Sequence, residues 1–284
     1  MLVSPIPMPT FARLAAPSSS VVWALVGGLE LFQSTDRGDT WHQRPLPSSP
    51  AAEWISFADD RQGWIMSSGS PAGQCQVQLV RIWHTADAGA TWQRLDATGI
   101  RDAQCKSGLS FVDPTHGFMV AWDQDHMPVV YRSGDGGRTW TPSQPLPDPP
   151  GFTSQPGGFT PMPGQVHAFG AALLVSAGRY VFRSTDGGAT WSYLAATPEG
   201  SASIAFVTAT RWLELIVPGQ SRETRDAGAS WHAYASDYSQ AAPVAPEVVF
   251  ADAQVGYATV RGGLKRTADG GLHWVALHTP GTSP

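Results

Sequence analysis

The sequence has little charge and almost no lysine. Only 14% of its 284 residues are charged, and two lysines, Lys106 and Lys265, stand against 16 arginines. The net charge of −5 leaves no basic footprint for nucleic acid. No apolar run reaches the length of a membrane span. The first residues, Met1 to Pro9, lack both a basic start and an apolar helix-forming stretch, so they do not read as a signal peptide. A mature exported domain, periplasmic or extracellular, is the expectation. Two cysteines exclude a dense disulfide framework. A Gly-rich phosphate loop, nucleophile elbow, zinc signature and haem motif are all missing, so neither cofactor nor metal is expected.

Glycine (30), proline (24) and tryptophan (12) are plentiful, which suits many short strands joined by turns. One octapeptide recurs six times: 34–41, 85–92, 133–140, 184–191, 224–231 and 267–274. Its pattern is [ST]-x-D-x-G-x-[TSH]-W, with Asp36, Asp87, Asp135, Asp186, Asp226 and Asp269 in the third position. The tryptophans are 51, 48, 51, 40 and 43 residues apart, a spacing of the order expected for propeller blades. An active site needs its carboxylate once, so an aspartate needed six times has one structural job per unit. The short hydroxyl and carboxylate side chains take backbone N–H groups in a tight turn, and the glycine supplies positive φ. The tryptophan then starts a strand and buries its indole.

A second pattern, F-x-D-x-x-x-G-aromatic, runs over 57–64, 111–118 and 250–257. It reads as a strand ending in Phe, an acidic turn and a second strand. A worn version covers 206–212; the fourth unit keeps Phe169, and the first keeps Trp23. In the second unit the strands are expected at 53–58, 64–68, 77–84 and 91–95. Four antiparallel strands per repeat with no helical stretch form a propeller blade. The expected fold is all-β, a single six-bladed β-propeller of four-stranded blades, monomeric, with blades near 8–47, 51–98, 107–146, 163–197, 200–238 and 245–280. The segment 142–163 lacks alternation and reads as a long inter-blade loop.

The box resembles the Asp-box, or bacterial neuraminidase repeat, of sialidases, sortilin-type receptors, some xyloglucanases and propellers of the photosystem II assembly-factor type. The F-x-D unit followed by a box resembles the last type most. The resemblance covers nearly the whole chain and implies the fold strongly. It implies function weakly, because the superfamily holds enzymes and pure binding proteins alike.

The A–B and C–D turns of a blade share one end, so the boxes and acidic turns form a regular scaffold end. Insertions at 69–76, 96–106, 123–127, 142–163 and 236–246 fall at the other, where a site is expected. Arg101, Trp122, His126, Arg179, Arg222 and Arg261 are its candidate binding residues, for a protein or glycan partner. Cys75 and Cys105 fall at this end on adjacent units. A disulfide is the natural pairing, with free thiols or a metal pair as alternatives. A sialidase would need an arginine triad, a Tyr/Glu nucleophile pair and an acid/base Asp. The Arg-Ile-Pro start implied by that family is absent, since no arginine precedes Ile6. Glutamates near the loop end are few: Glu53, Glu199 and Glu247. Glu53 with Asp123 or Asp125 is the formal two-carboxylate pair for glycoside hydrolysis. His126 beside Asp125 looks like a dyad, but neighbours in an extended loop point apart. A non-catalytic binding propeller is the expectation, with a sialidase-like hydrolase as its alternative.

Overall fold

The computed structural model describes residues 12–47, 52–69, 75–123, 126–152, 163–198, 204–216, 220–239, 247–260 and 263–279. Among them there is no helix and there are six four-stranded antiparallel sheets, each in the order of the chain. Blade 1 is β1 (Ala12–Ala15), β2 (Val22–Val26), β3 (Glu30–Ser34) and β4 (His42–Arg44). Blade 2 is β5 (Trp54–Phe57), β6 (Gly63–Ser68), β7 (Val80–Thr85) and β8 (Gln93–Leu95). Blade 3 is β9 (Cys105–Phe111), β10 (Gly117–Trp122), β11 (Val129–Ser133) and β12 (Thr141–Pro142). Blade 4 is β13 (Pro163–Phe169), β14 (Ala172–Ala177), β15 (Tyr180–Ser184) and β16 (Ser192–Ala196). Blade 5 is β17 (Ile204–Phe206), β18 (Trp212–Glu214), β19 (Arg222–Thr224) and β20 (His232–Ala233). Blade 6 is β21 (Val248–Phe250), β22 (Gly256–Val260), β23 (Gly263–Thr267) and β24 (Val275–Leu277). This is the all-β, six-bladed β-propeller class. Blades 2, 3 and 4 form one compact unit, Pro47–Glu199; blades 1, 5 and 6 form a second from Met1–Leu46 and Gly200–Pro284.

Each box closes the turn between the third and fourth strands in the same way. In blade 4, Ser184 gives its hydroxyl to Asp186 (2.8 Å) and accepts the N–H of Gly188 (2.9 Å). Asp186 in turn takes the N–H (3.0 Å) and hydroxyl (2.6 Å) of Thr190. The bond from the Thr190 hydroxyl holds the Asp186 carboxyl well below the usual range, and the Thr190 N–H adds to it. The same hydroxyl-first cause lowers Asp36, Asp87 and Asp226 to about 2. In blade 6 a histidine replaces the hydroxyl: His273 Nδ1 lies 2.6 Å from Asp269. The fifth box residue has positive φ throughout, from 73° at Gly89 to 96° at Gly271, a conformation glycine adopts without a Cβ clash. The fourth is left-handed too, even where it is Arg37, Ala88 or Ala227.

The boxes also join blades. A Cβ on Gly188 would lie 3.0 Å from Phe118 of blade 3, and one on Gly271 would lie 2.7 Å from Leu213 of blade 5. Trp64 of blade 2 stacks on Phe111 of blade 3 at 3.7 Å and donates its indole N–H to Gly136 in box three (3.0 Å). The second motif has an equally plain origin. Asp113 accepts the N–H groups of Thr115 (2.7 Å) and His116 (2.8 Å), and Asp59 and Asp252 close their turns likewise. Gly117 is required because the Phe111 ring lies where its Cβ would be; the pairs Phe57–Gly63 and Phe250–Gly256 repeat this contact.

Blade 4 departs from the expected pattern. Ala168 pairs with Leu173, and Phe169 pairs with Ala172 across a two-residue hairpin at Gly170–Ala171. Phe169 therefore does not hold the position of Phe57 and Phe111, and the blade has no acidic turn. The described start of the expected loop after β12 is tied to its own blade: Ser143 and Leu146 donate their N–H groups to Val130 and Pro128 (both 2.8 Å), and Leu146 is buried.

Ser133→Ala removes the acceptor of the buried Gly137 N–H (2.9 Å). The expected cost is about 1–3 kcal/mol, which lowers the unfolding midpoint by roughly 2–4 °C per kcal/mol; calorimetry measures it. The histidine box makes a prediction of opposite pH sense to the carboxylates. Asp269 holds the proton on His273 and raises its pKa above 6.5. That stabilisation is complete below 6.5 and disappears as pH rises through the raised value. Between about pH 6 and about pH 9 the midpoint of His273→Thr should fall less than that of the wild type. Parallel curves for the two proteins would remove the histidine from the account.

Candidate functional site

The expected disulfide is present. Cys75 and Cys105 are bonded across a separation of 30 residues, with their Cα atoms 4.8 Å apart. Cys75 and Gln104 both have positive φ (73° and 84°), and the Gln104 N–H donates to the Cys75 carbonyl (2.7 Å). Beside them is a buried amine that the sequence does not single out. Lys106, 4% exposed, donates to the carbonyls of Gln78 (2.9 Å), Asp102 (2.9 Å) and Ala103 (3.3 Å). Burial lowers it to about 8, against the opposing charge of Asp102. Gln78 completes the knot, accepting the Lys106 N–H (2.7 Å) and donating its own N–H to Asp102 (2.8 Å). Backbone that would otherwise be two loose loops is thus fastened between blades 2 and 3.

Several candidate residues gather around this knot. Trp122 ends β10 opposite Cys105 and is half-buried. Asp123 accepts the N–H of His126 (2.8 Å), meets its Nδ1 (3.1 Å), and takes the Gln104 side-chain amide (3.3 Å). His126 therefore pairs with Asp123; Asp125 lies outside the described residues. Arg101 is exposed, with its N–H 3.3 Å from the Tyr131 hydroxyl. Glu53 receives the hydroxyl of Ser68 on its own blade. The two formal catalytic carboxylates are thus each engaged locally, Asp123 as a turn former. Val77 and Leu79, between the 69–76 insertion and β7, are exposed (47% and 55%), an apolar pair that the sequence pattern does not mark.

Arg179 is half-buried at the turn between β14 and β15, where its carbonyl accepts the Thr197 N–H (2.8 Å). In the other compact unit, Arg222 opens β19 and lines a hollow of about 360 Å³ with Ile216, Gln220, Trp231 and His232. Glu247 forms an ion pair with Arg13 (2.9 Å), yet burial raises its carboxyl more than the guanidinium lowers it. Arg261 and Glu199 lie outside the described residues. No cluster of metal-ligating side chains occurs among the described residues, and no described helix is long and apolar enough to cross a membrane.

A larger cleft opens at the box end, where the sequence pattern predicts scaffold alone. It measures about 530 Å³ between blades 3 and 4 and is lined by Phe118, Arg132, Leu173 and Gly187 among others. Its signal in the sequence is the missing acidic turn of the fourth repeat.

The BNR/Asp-box repeat family matches residues 182–193, the fourth box with its flanks. A xyloglucanase from Paenibacillus sp is 26% identical over an alignment of 211 residues that covers 62% of this chain and 19% of that protein. The chain thus spans about a fifth of that relative. Among solved structures, YCF48 from Cyanidioschyzon merolae aligns with a TM-score of 0.58 at 18% identity, over 95% of this chain and 86% of that one. A structure of YCF48 bound to D1 peptide gives 0.55 at 14%, over 96% and 82%. A protein of unknown function from Dyadobacter fermentans DSM 18053 gives 0.59 at 14%, over 94% and 92%. These likenesses agree with the box geometry found six times over, and on both grounds the chain is a β-propeller of the BNR/Asp-box repeat type.

Proposed function

We propose that this chain is a non-catalytic binding propeller that recognises a protein partner through its loop end. The observation that carries the reading is the knot of Cys75, Cys105, Gln78 and Lys106, which fastens together two connecting segments that bear exposed apolar and cationic groups. A pre-fastened loop loses little conformational entropy on binding. Arg101, Trp122, His126, Val77 and Leu79 supply the mixture of arginine, aromatic and aliphatic surface that suits a protein interface. Arg179, half-buried on the same compact unit, adds a further cationic group to the proposal. The likeness to a structure of YCF48 bound to D1 peptide supports a peptide or protein ligand over a glycan. The disulfide supports an exported location, where oxidised cysteines persist.

Glycoside hydrolysis is the second reading, favoured by the xyloglucanase relative. It would need two carboxylates free to act as acid and base, whereas Asp123 forms a turn and Glu53 holds Ser68.

The purified protein is expected to leave xyloglucan and a fluorogenic sialoside intact. Steady turnover abolished by Glu53→Gln or Asp123→Asn would establish the hydrolase instead. Cross-linking in an envelope extract should yield a protein partner that is lost when Arg101 and Arg179 are changed together to Glu. Arg61→Glu at the box end should keep it. Loss with Arg61→Glu and retention with the double variant would reverse the face assignment.

A further inference from the structure

One junction recurs between neighbouring blades, and its variations single out the cleft beside Arg132. Between blades 6 and 1, Arg266 immediately precedes its box and reaches box one of the next blade. It donates to the carbonyl of Arg37 (2.7 Å) and to the carboxylate of Asp39 (2.9 Å), the fourth and sixth residues of that box. Between blades 5 and 6 the fourth-residue carbonyl, Gly270, is taken by Arg211 (2.8 Å). Between blades 2 and 3 it is Gly136, taken by Trp64 (3.0 Å).

Between blades 3 and 4 the junction is left open. Arg132 has the position of Arg266, immediately before its box. The sixth residue of box four is Ala189, so the carboxylate that Asp39 supplies elsewhere is missing. Among the described residues the Arg132 guanidinium has no hydrogen-bond acceptor and no ion-pair partner, and its Nε is shut off from water. A buried donor without an acceptor is costly.

A second donor, on exposed Gly187, lacks a protein acceptor at the same place. In five blades the N–H of the fourth box residue is taken by the A–B turn of its own blade. The bonds run from Arg37, Ala88, Gly136, Ala227 and Gly270 to Ser20, Arg61, Thr115, Thr210 and Gln254, at 2.8–2.9 Å. Blade 4 has only the hairpin Gly170–Ala171, and the Gly187 N–H finds no acceptor among the described residues. Arg132 and Gly187 both line the 530 Å³ cleft, together with Val112, Phe118 and Leu173. The nearby carboxylates are already engaged: Asp135 and Asp186 in their boxes, Asp113 with His116.

We propose that this cleft binds a peptide carboxylate with an adjacent aliphatic side chain. The carboxylate takes the place that Asp39 holds between blades 6 and 1, receiving charge-assisted bonds from Arg132 and the Gly187 N–H. The aliphatic group covers Val112, Phe118 and Leu173. The site lies at the box end of blades 3 and 4 and is independent of the loop-end reading above.

Calorimetric titration and amide NMR of the whole chain test it with three probes. N-acetyl-leucyl-glutamate α-amide carries a side-chain carboxylate, N-acetyl-leucyl-leucine a terminal one, and N-acetyl-leucyl-glutamine amide none. At least one carboxylate probe should bind and shift the Gly187 amide resonance, and the tighter of the two identifies the source. The neutral probe should bind at least about tenfold more weakly, as should the carboxylate probe on Arg132→Met. Ala189→Asp supplies the carboxylate from within. It should fold at least as stably as the wild type and lose the site, and it carries the test if Arg132→Met fails to fold. Equal binding of charged and neutral probes, undiminished binding to Ala189→Asp, or no binding of any probe would overturn the proposal.

Discussion

A left-handed corner of two residues, repeated in every blade, is the constraint on which the rest of the structure depends. Such a corner exposes backbone N–H groups that no strand can satisfy, and L-residues resist it. The box meets both demands with a hydroxyl, a carboxylate and a glycine. Once turned, the corner presents a glycine face and a carbonyl to the preceding blade, so a local solution to turn chemistry also builds the blade-to-blade contact. Phe118 under Gly188 and Leu213 under Gly271 are hydrophobic consequences of the same backbone geometry.

Repetition of that geometry makes departures from it meaningful. Where box residue six is Asp39, the junction closes on Arg266; where it is Arg138, the neighbouring His84 is desolvated and further disfavoured as a cation by the guanidinium. Where it is Ala189, space remains. Identical scaffolding with unequal closure lets a propeller carry distinct surfaces without altering its core, and it places recognition chemistry at an end whose turns are otherwise regular.

The blades were legible because the box and the Phe–Gly contact each place a whole motif in consecutive residues. Strand positions in blade 2 followed from them to within a few residues. The fourth blade was less legible. Phe169 resembles Phe57 in sequence, but only the pairing of Ala168 with Leu173 reveals that it has moved into the turn. The cleft beside Arg132 was hidden for a related reason, since it arises from residues that two separate turns fail to supply. Cys75 and Cys105 were legible as neighbours, while the amine of Lys106 was not: composition marks lysine as exposed, and its three carbonyl acceptors come from segments 78 and 102–103.

Lys106 has a practical consequence for anyone attaching this protein to something else. Of the chain's two lysine amines, one is enclosed within the disulfide knot and the other, Lys265, belongs to the third strand of blade 6. Among side chains, acylation by an activated ester is therefore directed to Lys265, a built-in address for one side-chain dye or tether.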